Sequence, residues 1–467
     1  MAVSMKQVIV ALALGAFANG QQPGQQQTET HPSLMLETCD ESGCTTATKS
    51  ITLDSNWRWT DVDGSNCYTG NEWNDVAGCA DGDGEQCAAA CAVEGASYEE
   101  TYGIKSSGKS IEIDFVTKGS YGDNVGSRSY MMNSEDKYEM FMLKNREFTF
   151  DVDVSELPCG LNGALYFVAM DEDGGASYSG NSAGAKYGTG YCDAQCPHDM
   201  KYINGVANSE DWVPDSNSAN SGKGKMGTCC FEMDIWEANK VSQAYTPHTC
   251  SEKGQYTCSD PETCGDIDSG NRYDGVCDKD GCDFAPFRLG NETFFGEGAG
   301  FDLDSSETMT VVTQFITDDG TDDGKLSEIR RVYVQNGVVF QNPQVDINGK
   351  LYDSITDDMC TDMKDYFGDD QGFSKHGGLE AMGDQMESGM VLVMSLWDDY
   401  SVNMLWLDSD YPPDSDPTTP GVHRGSCSTD SGDPKDVEAN SPDAKVTFSN
   451  IKVGTIGSTY ASSPVVA

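Results

Sequence analysis

The sequence predicts an all-β protein built from two packed sheets that carry long, disulfide-stapled loops. Three observations predict it. Runs of β-branched and aromatic residues recur along the chain while helical periodicity is scarce. The 51 glycines supply turns and long connections. The 18 cysteines, an even number all beyond residue 38, read as an exported disulfide framework, and the paired CxxC spacing of a zinc site is missing. Adjacent Cys229 and Cys230 cannot easily bond to each other, so each is expected to staple a different loop.

In chain order, residues 1–20 read as an export signal, with Lys6 at the charged end, an apolar run over 8–17, and Ala18 and Gly20 before a cut that leaves Gln21 first. That run is too short to span a bilayer as a helix, and no later segment is long and apolar enough. Strands are expected at 111–116 (IEIDFV), 148–154 (FTFDVDV), 164–170 (ALYFVAM), 309–316 (MTVVTQFI), 331–340 (RVYVQNGVVF), 391–397 (VLVMSLW) and 444–453 (AKVTFSNIKV). Within 331–340, Asn336-Gly337 marks a tight hairpin turn. Two packed sheets follow from this pattern. No internal repeat and no Pro/Ser/Thr-rich linker is evident, so residues 21–467 are expected to form a single catalytic domain without a second binding module.

The formal charge is −48, with the acids scattered along the chain instead of gathered in a tail. A folded chain of this size exposes roughly 17,000 Å², so local acidic clusters repel until salt screens them over about 10 Å. The expectation is a salt-tolerant protein, and a polyanion such as nucleic acid is excluded as a partner. Residues 318–325 (DDGTDDGK) and 278–283 (DKDGCD) invite a calcium reading. The first lacks the closing glutamate and reads as an exposed acidic turn, and the second carries a similar discount, so no metal or cofactor is expected. Asn291-Glu292-Thr293 is a glycosylation sequon.

The densest chemistry lies at 231–237 (FEMDIWE). Glycosidic-bond cleavage needs a pair of carboxyl groups and a surface on which a sugar ring can stack. Glu232, Asp234 and Glu237 beside Trp236 offer both. On a straight strand Glu232, Asp234 and Trp236 share one face and Glu237 falls on the other. If Glu237 is to act with Glu232, the strand has to bulge, bend or end near Trp236. The competing reading, a solvated acidic strand face, sits poorly with the apolar neighbours and the double cysteine.

The string 229–239 (CCFEMDIWEAN) resembles the signature of glycoside hydrolase family 7, in its cellobiohydrolase branch. The likeness continues through 30–32 (THP), 56–59 (NWRW), 158–166 (PCGLNGALY), 185–193 (AKYGTGYCD), 246–248 (TPH), 395–400 (SLWDDY) and 424–427 (RGSC), covering essentially the whole chain after residue 20. It implies a concanavalin-like β-jelly-roll sandwich whose loops form a tunnel over a cellulose-binding groove, and a retaining mechanism. Glu232 then matches the nucleophile, Glu237 the acid that later activates water, and Asp234 the group that orients Glu232. The like charge of Glu232 is expected to raise the pKa of Glu237, giving a bell-shaped acidic pH profile.

The same resemblance makes Trp57 and Trp59 sugar platforms at the entry end, Trp397 the platform just before the cleavage point and Trp406 the one on the product side. Trp73 and Trp212 are left to core packing. It assigns substrate binding to Arg128, Asn162, Tyr166, Tyr191, Asp193, Gln195, Lys201, His248, Arg272, Asp280, Arg288, Tyr411 and Arg424. It implies the disulfides 39–44, 67–91, 79–87, 159–427, 192–230, 196–229, 250–277, 258–264 and 282–360. A disulfide usual near the N-terminus of relatives lacks both partners, which predicts a looser N-terminal segment. Asp268 and Ser401 stand where relatives place aromatic loop tips, which predicts a roof that opens more readily, and Ala194 stands where a hydroxyl often lies beside the nucleophile.

Loops 196–229, 250–282 and 411–424 are of cellobiohydrolase length. The resemblance thus implies a secreted, monomeric enzyme that acts on cellulose and cello-oligosaccharides and releases cellobiose processively from chain ends, the reducing end by family likeness. An endoglucanase of the same family is the second reading and a glucan-binding lectin a distant third.

Overall fold

A computed structural model describes residues 20–461 except 121 and 179, together with Val465–Val466. The expected export signal, Gly20 apart, lies outside the described residues. In chain order the strands of the frame are β1 (Ser33–Asp40), β2 (Gly43–Leu53), β3 (Ser110–Asp114), β4 (Ser127–Ser134), β5 (Arg146–Asp153), β6 (Leu161–Val168), β7 (Glu232–Ala238), β8 (Gln243–His248), β9 (Met309–Thr317), β10 (Leu326–Gln335), β11 (Val338–Gln341), β12 (Met390–Asp398) and β13 (Lys445–Gly454).

Two antiparallel sheets result. The first runs β1-β2-β4-β12-β6-β7-β8. The second runs β3-β13-β5-β9-β10-β11. β1 also meets the end of β13 in parallel, Glu37 opposite Lys452, and so joins the two. The strand period of two sorts the side chains of β6. Leu165 and Phe167 enter the core, where Phe167 packs edge-on against Phe141 and Phe148, while Asn162, Ala164 and Tyr166 face away from it. Phe150 meets Phe448 and Trp236 edge-on in the same layer. Burying each such ring contributes about 2–3 kcal/mol.

The expected strands are present with shifted ends. β10 starts five residues before the expected run, at Leu326, and turns into β11 at Asn336-Gly337, both with positive φ (53° and 75°) as the hairpin requires. β6 begins at Leu161 because Asn162 and Gly163, poor strand formers by composition, are held by pairing with β12, and Gly163 with β7 as well. The strand signals did not reveal β1, β2, β4 and β8, whose Thr, Ser, Lys and Pro residues hide the alternation.

All nine disulfides implied by the resemblance are formed. Trp73 and Trp212 pack edge-on against each other and against Tyr68, beside the buried Cys67, Cys79, Cys87 and Cys91. The looser N-terminal segment is not found. Gln22–Pro23 pair with Ala92–Val93, and the amides of Gln25, Gln26 and Gln27 donate to the buried carboxylate of Glu94 at 3.1, 2.8 and 2.7 Å. Three amides on one carboxylate form a charge-assisted clamp where the disulfide is lacking. No helix among the described residues is long and apolar enough to cross a membrane.

Candidate active site

The site is built on β7 and depends on one extra residue. Against β6, Trp236 pairs with Leu165 and Asp234 with Tyr166, so Ile235 has no partner. Against β8, Asp234 pairs with Thr246 and Glu237 with Ala244, leaving Tyr245 opposite two residues. This is a β-bulge, and it resets the period of two. Glu232, Asp234 and Glu237 therefore share the face that carries Tyr166 and Ala164, as the sequence required for a paired-carboxylate site.

The bulge also corrects the reading of Trp236. It is fully buried, with its ring 6.3 Å from Phe150 and 5.9 Å from Phe295, and offers no surface to a sugar. The register reset that returns Glu237 to the groove turns the tryptophan into the core.

Disulfides fix the opposite wall. Cys192–Cys230 and Cys196–Cys229 strap residues 192–196 across the start of β7. The Ala194 amide thereby reaches Glu232 Oε2 at 3.0 Å. A backbone donor stands where the side chain lacks a hydroxyl, a contact that residue types alone do not reveal. Asp234 hydrogen-bonds Glu232, and its Oδ2 lies 3.1 Å from Nε2 of His248, whose Nδ1 is 2.9 Å from the Asp278 carbonyl oxygen. Asn162 donates to Glu237 Oε1 at 2.9 Å and accepts from the Ala238 amide at 3.1 Å, so it too is locked by β7.

Burial dominates the electrostatics. Glu232 and Asp234, 8% and 4% exposed, are pushed well above the usual carboxylate range by loss of solvent first and then by neighbouring carboxylates, Asp193 among them. Glu237, partly open to the groove, is raised to about 7 by burial, with His248 and the Asn162 hydrogen bond opposing. Burial stands first among the causes, where the like charge of Glu232 was expected.

The remaining expected site residues fall into three groups. In the first, Trp57 donates Nε1 to the Val125 carbonyl and Trp59 is 37% exposed, with its Nε1 on Asn66. Arg128 lies over the ring of Tyr191 at 3.2 Å and pairs with Asp54 at 2.6 Å, while Lys201 donates to the Asn56 carbonyl. Beside the carboxylates, the Tyr166 and Tyr191 hydroxyls meet at 2.9 Å and Tyr191 donates to Asp193. Gln195 donates to the Lys279 carbonyl. Trp397 sits opposite Asn162 on β12 and stacks on Trp406 with centroids 6.4 Å apart.

In the third group, Arg272 pairs with Asp280 at 2.7 Å. Arg288 is spent on Asp283, Asp369 and the Gly421 carbonyl. Arg424 lies 5.6 Å from the Tyr411 ring centroid with its Nε unpartnered; burial and then the charge of Arg288 pull its pKa down to about 10. The acids of 278–283 thus include two taken up by arginines. Asp54 escaped sequence reading, and Asp283 and Lys279 were read only as part of the acidic 278–283 string, because nothing local marks an acid or a lysine that meets its partner only through the fold.

The sequence pattern of glycosyl hydrolase family 7 matches residues 23–460. A GH7 family cellobiohydrolase from Daphnia pulex is 53% identical with a TM-score of 0.92, the match covering 94% of this chain and 100% of that one. A cellobiohydrolase from Melanocarpus albomyces, solved with cellotetraose, is 44% identical at 0.88 over the same shares. The endocellulase EGI from Humicola insolens is 34% identical at 0.78, again over 94% and 100%. With the family pattern spanning almost all of it and the signature acids on one bulged strand, the chain belongs to glycosyl hydrolase family 7.

Proposed function

We propose that this chain is a secreted, retaining cellobiohydrolase acting on β-1,4-glucan, with Glu232 as nucleophile and Glu237 as acid and base. The observation that carries the proposal is the bulge, which sets two carboxyls of different surroundings on one groove face. Glu232 accepts from the Ala194 amide at 3.0 Å, a hydrogen bond that favours its ionised form, the form that attacks the anomeric carbon. Glu237, protonated below about 7, gives its proton to the leaving sugar oxygen and takes one from water in the second half. Trp57 and Trp59 would grip the incoming chain, Trp397 and Trp406 the residues about the scissile bond. His248, Arg272, Asp280, Tyr411 and Arg424 would face the product.

Chain-end action is favoured because this chain is more similar to the two cellobiohydrolases than to the endocellulase, and because two long loops are tied together. Asp266, on the 250–282 loop, lies 3.2 Å from His198 and 3.1 Å from Lys223, both on the 196–229 loop. On insoluble cellulose, most new reducing ends are expected in the soluble fraction as cellobiose. A majority left on the solid would favour the endoglucanase reading, for which Ser401, exposed where a loop tip would be aromatic, is the supporting feature.

The acidic surface leads to a second expectation. Because the catalytic carboxyls are buried while most of the charge is not, added salt relieves surface repulsion and leaves the site alone. Initial rates are expected to stay within about twofold between 0.1 and 1 M NaCl, where the Debye length falls from about 10 to 3 Å. A steep loss across that series would remove the case for salt tolerance.

A further inference from the structure

β10 belongs to the second sheet, yet one of its side chains crosses the core to the back of the catalytic strand. Arg331 is wholly buried, and its Nη2 donates to the carbonyl of Ile235, the unpaired residue of the β7 bulge. Its guanidinium lies 4.2 Å from the ring centroid of Tyr245, the β8 residue that faces both bulged positions, and 5.6 Å from that of Tyr333. Nε and Nη1 have no acceptor, and among the described residues no carboxylate lies within ion-pair distance of it.

A cation buried without a counter-charge is a costly way to fill a core, and an apolar side chain of similar volume would be better tolerated there. What the guanidinium supplies and a methionine cannot is a donor to a carbonyl that the bulge has taken out of register with β6 and β8. The aromatic faces of Tyr245 and Tyr333 offset part of the desolvation. Ile235 is two residues from Glu237. A bulge that relaxed to regular pairing would return Glu237 to the core face.

We infer that Arg331 is a positioning residue for Glu237, holding the Ile235 carbonyl and with it the bulge that presents the carboxyl to the groove. The inference rests on the reading of Glu237 as proton donor, and its test separates the two. The assay is kcat/KM, which reports the first chemical step, on aryl β-cellobiosides with a strongly acidic leaving group (2,4-dinitrophenol) and a weakly acidic one (phenol). The weak leaving group needs a proton and the strong one does not.

Arg331→Met is expected to lower kcat/KM on the phenyl substrate about 100-fold, the scale of an ångström's misplacement, and on the dinitrophenyl substrate less than about fivefold. Arg331→Lys, which keeps a donor, should recover about tenfold of the loss on the phenyl substrate. Glu237→Gln is the control. Should it show no such split, the reading of Glu237 fails. Should it split while Arg331→Met lowers both substrates equally or neither, the inference about Arg331 fails alone. If neither arginine variant folds by circular dichroism, Arg331 belongs to the fold and not to the acid, and the inference is overturned as well.

Discussion

Replacing Glu232 by glutamine is expected to abolish hydrolysis of cello-oligosaccharides, by roughly 10⁴-fold or more on the scale of removing a nucleophile from a covalent hydrolase, while their binding is retained. The substitution keeps the shape, and the Ala194 amide at 3.0 Å still finds a carbonyl oxygen to donate to. What is lost is the charge that attacks the sugar. Calorimetry with cellotetraose beside a reducing-sugar assay checks both halves. Hydrolysis that survived with binding unchanged would remove Glu232 from the mechanism and revive the lectin reading.

The same variant carries a stability signature with a definite sign. The carboxyl of Glu232 is raised in the folded protein above its unfolded value, chiefly by burial. Its contribution to folding is therefore fully present below the usual carboxylate range and is lost as pH rises toward the folded value. Glutamine has no such loss. Above neutral pH the variant should melt higher than the parent, and at acid pH the two should converge.

Much of this was legible in the sequence, for identifiable reasons. The alternating runs that became β3, β5, β9 and β13 carry their own evidence, as does the Asn336-Gly337 turn. β8 does not, since Pro247 and Thr246 disguise a strand held by its pairing with β7. The acids at 232, 234 and 237 required a break in strand period, and a bulge, a bend or the strand's end was expected near Trp236; the side to which Trp236 itself would turn was not legible. It depends on which of the residues between Asp234 and Glu237 is the extra one, and that is decided by packing against Phe150 and Phe295 across the sandwich. The Ala194 amide and the Ile235 carbonyl are main-chain groups with no residue signature. Arg331 reads in the sequence as a strand residue before a hairpin, and only the fold brings it behind β7.

Glu237→Gln is expected to cost about 10²–10⁴-fold on substrates that need a protonated leaving group, and the parent's pH profile should identify the group responsible. Because Glu237 is raised to about 7, its protonated fraction falls as pH climbs through that value, and the rate should fall with it about tenfold per pH unit beyond. The variant should lose this alkaline limb. The raised value also means that the ionised carboxyl costs the fold about 2 kcal/mol above pH 7, its partial exposure allowed for, a cost absent below the unfolded value near 4.5.

Two causes could raise Glu237, and they predict different things. If burial does it, removing the charge at 232 changes little; if like charge does it, Glu237 should drop toward 4.5 once residue 232 is neutral. Glu232→Gln turns over too slowly for a rate profile, so the reporter is the carboxyl ¹³C shift of Glu237 titrated in that variant. The expected midpoint stays near 7, because desolvation is its first cause and Glu232 is not among the groups that raise it. A midpoint near 4.5 would restore the like-charge mechanism. Burial as the cause has a further consequence: a glucan seated in the groove removes the water that Glu237 still sees, so the alkaline limb of kcat should lie above that of kcat/KM.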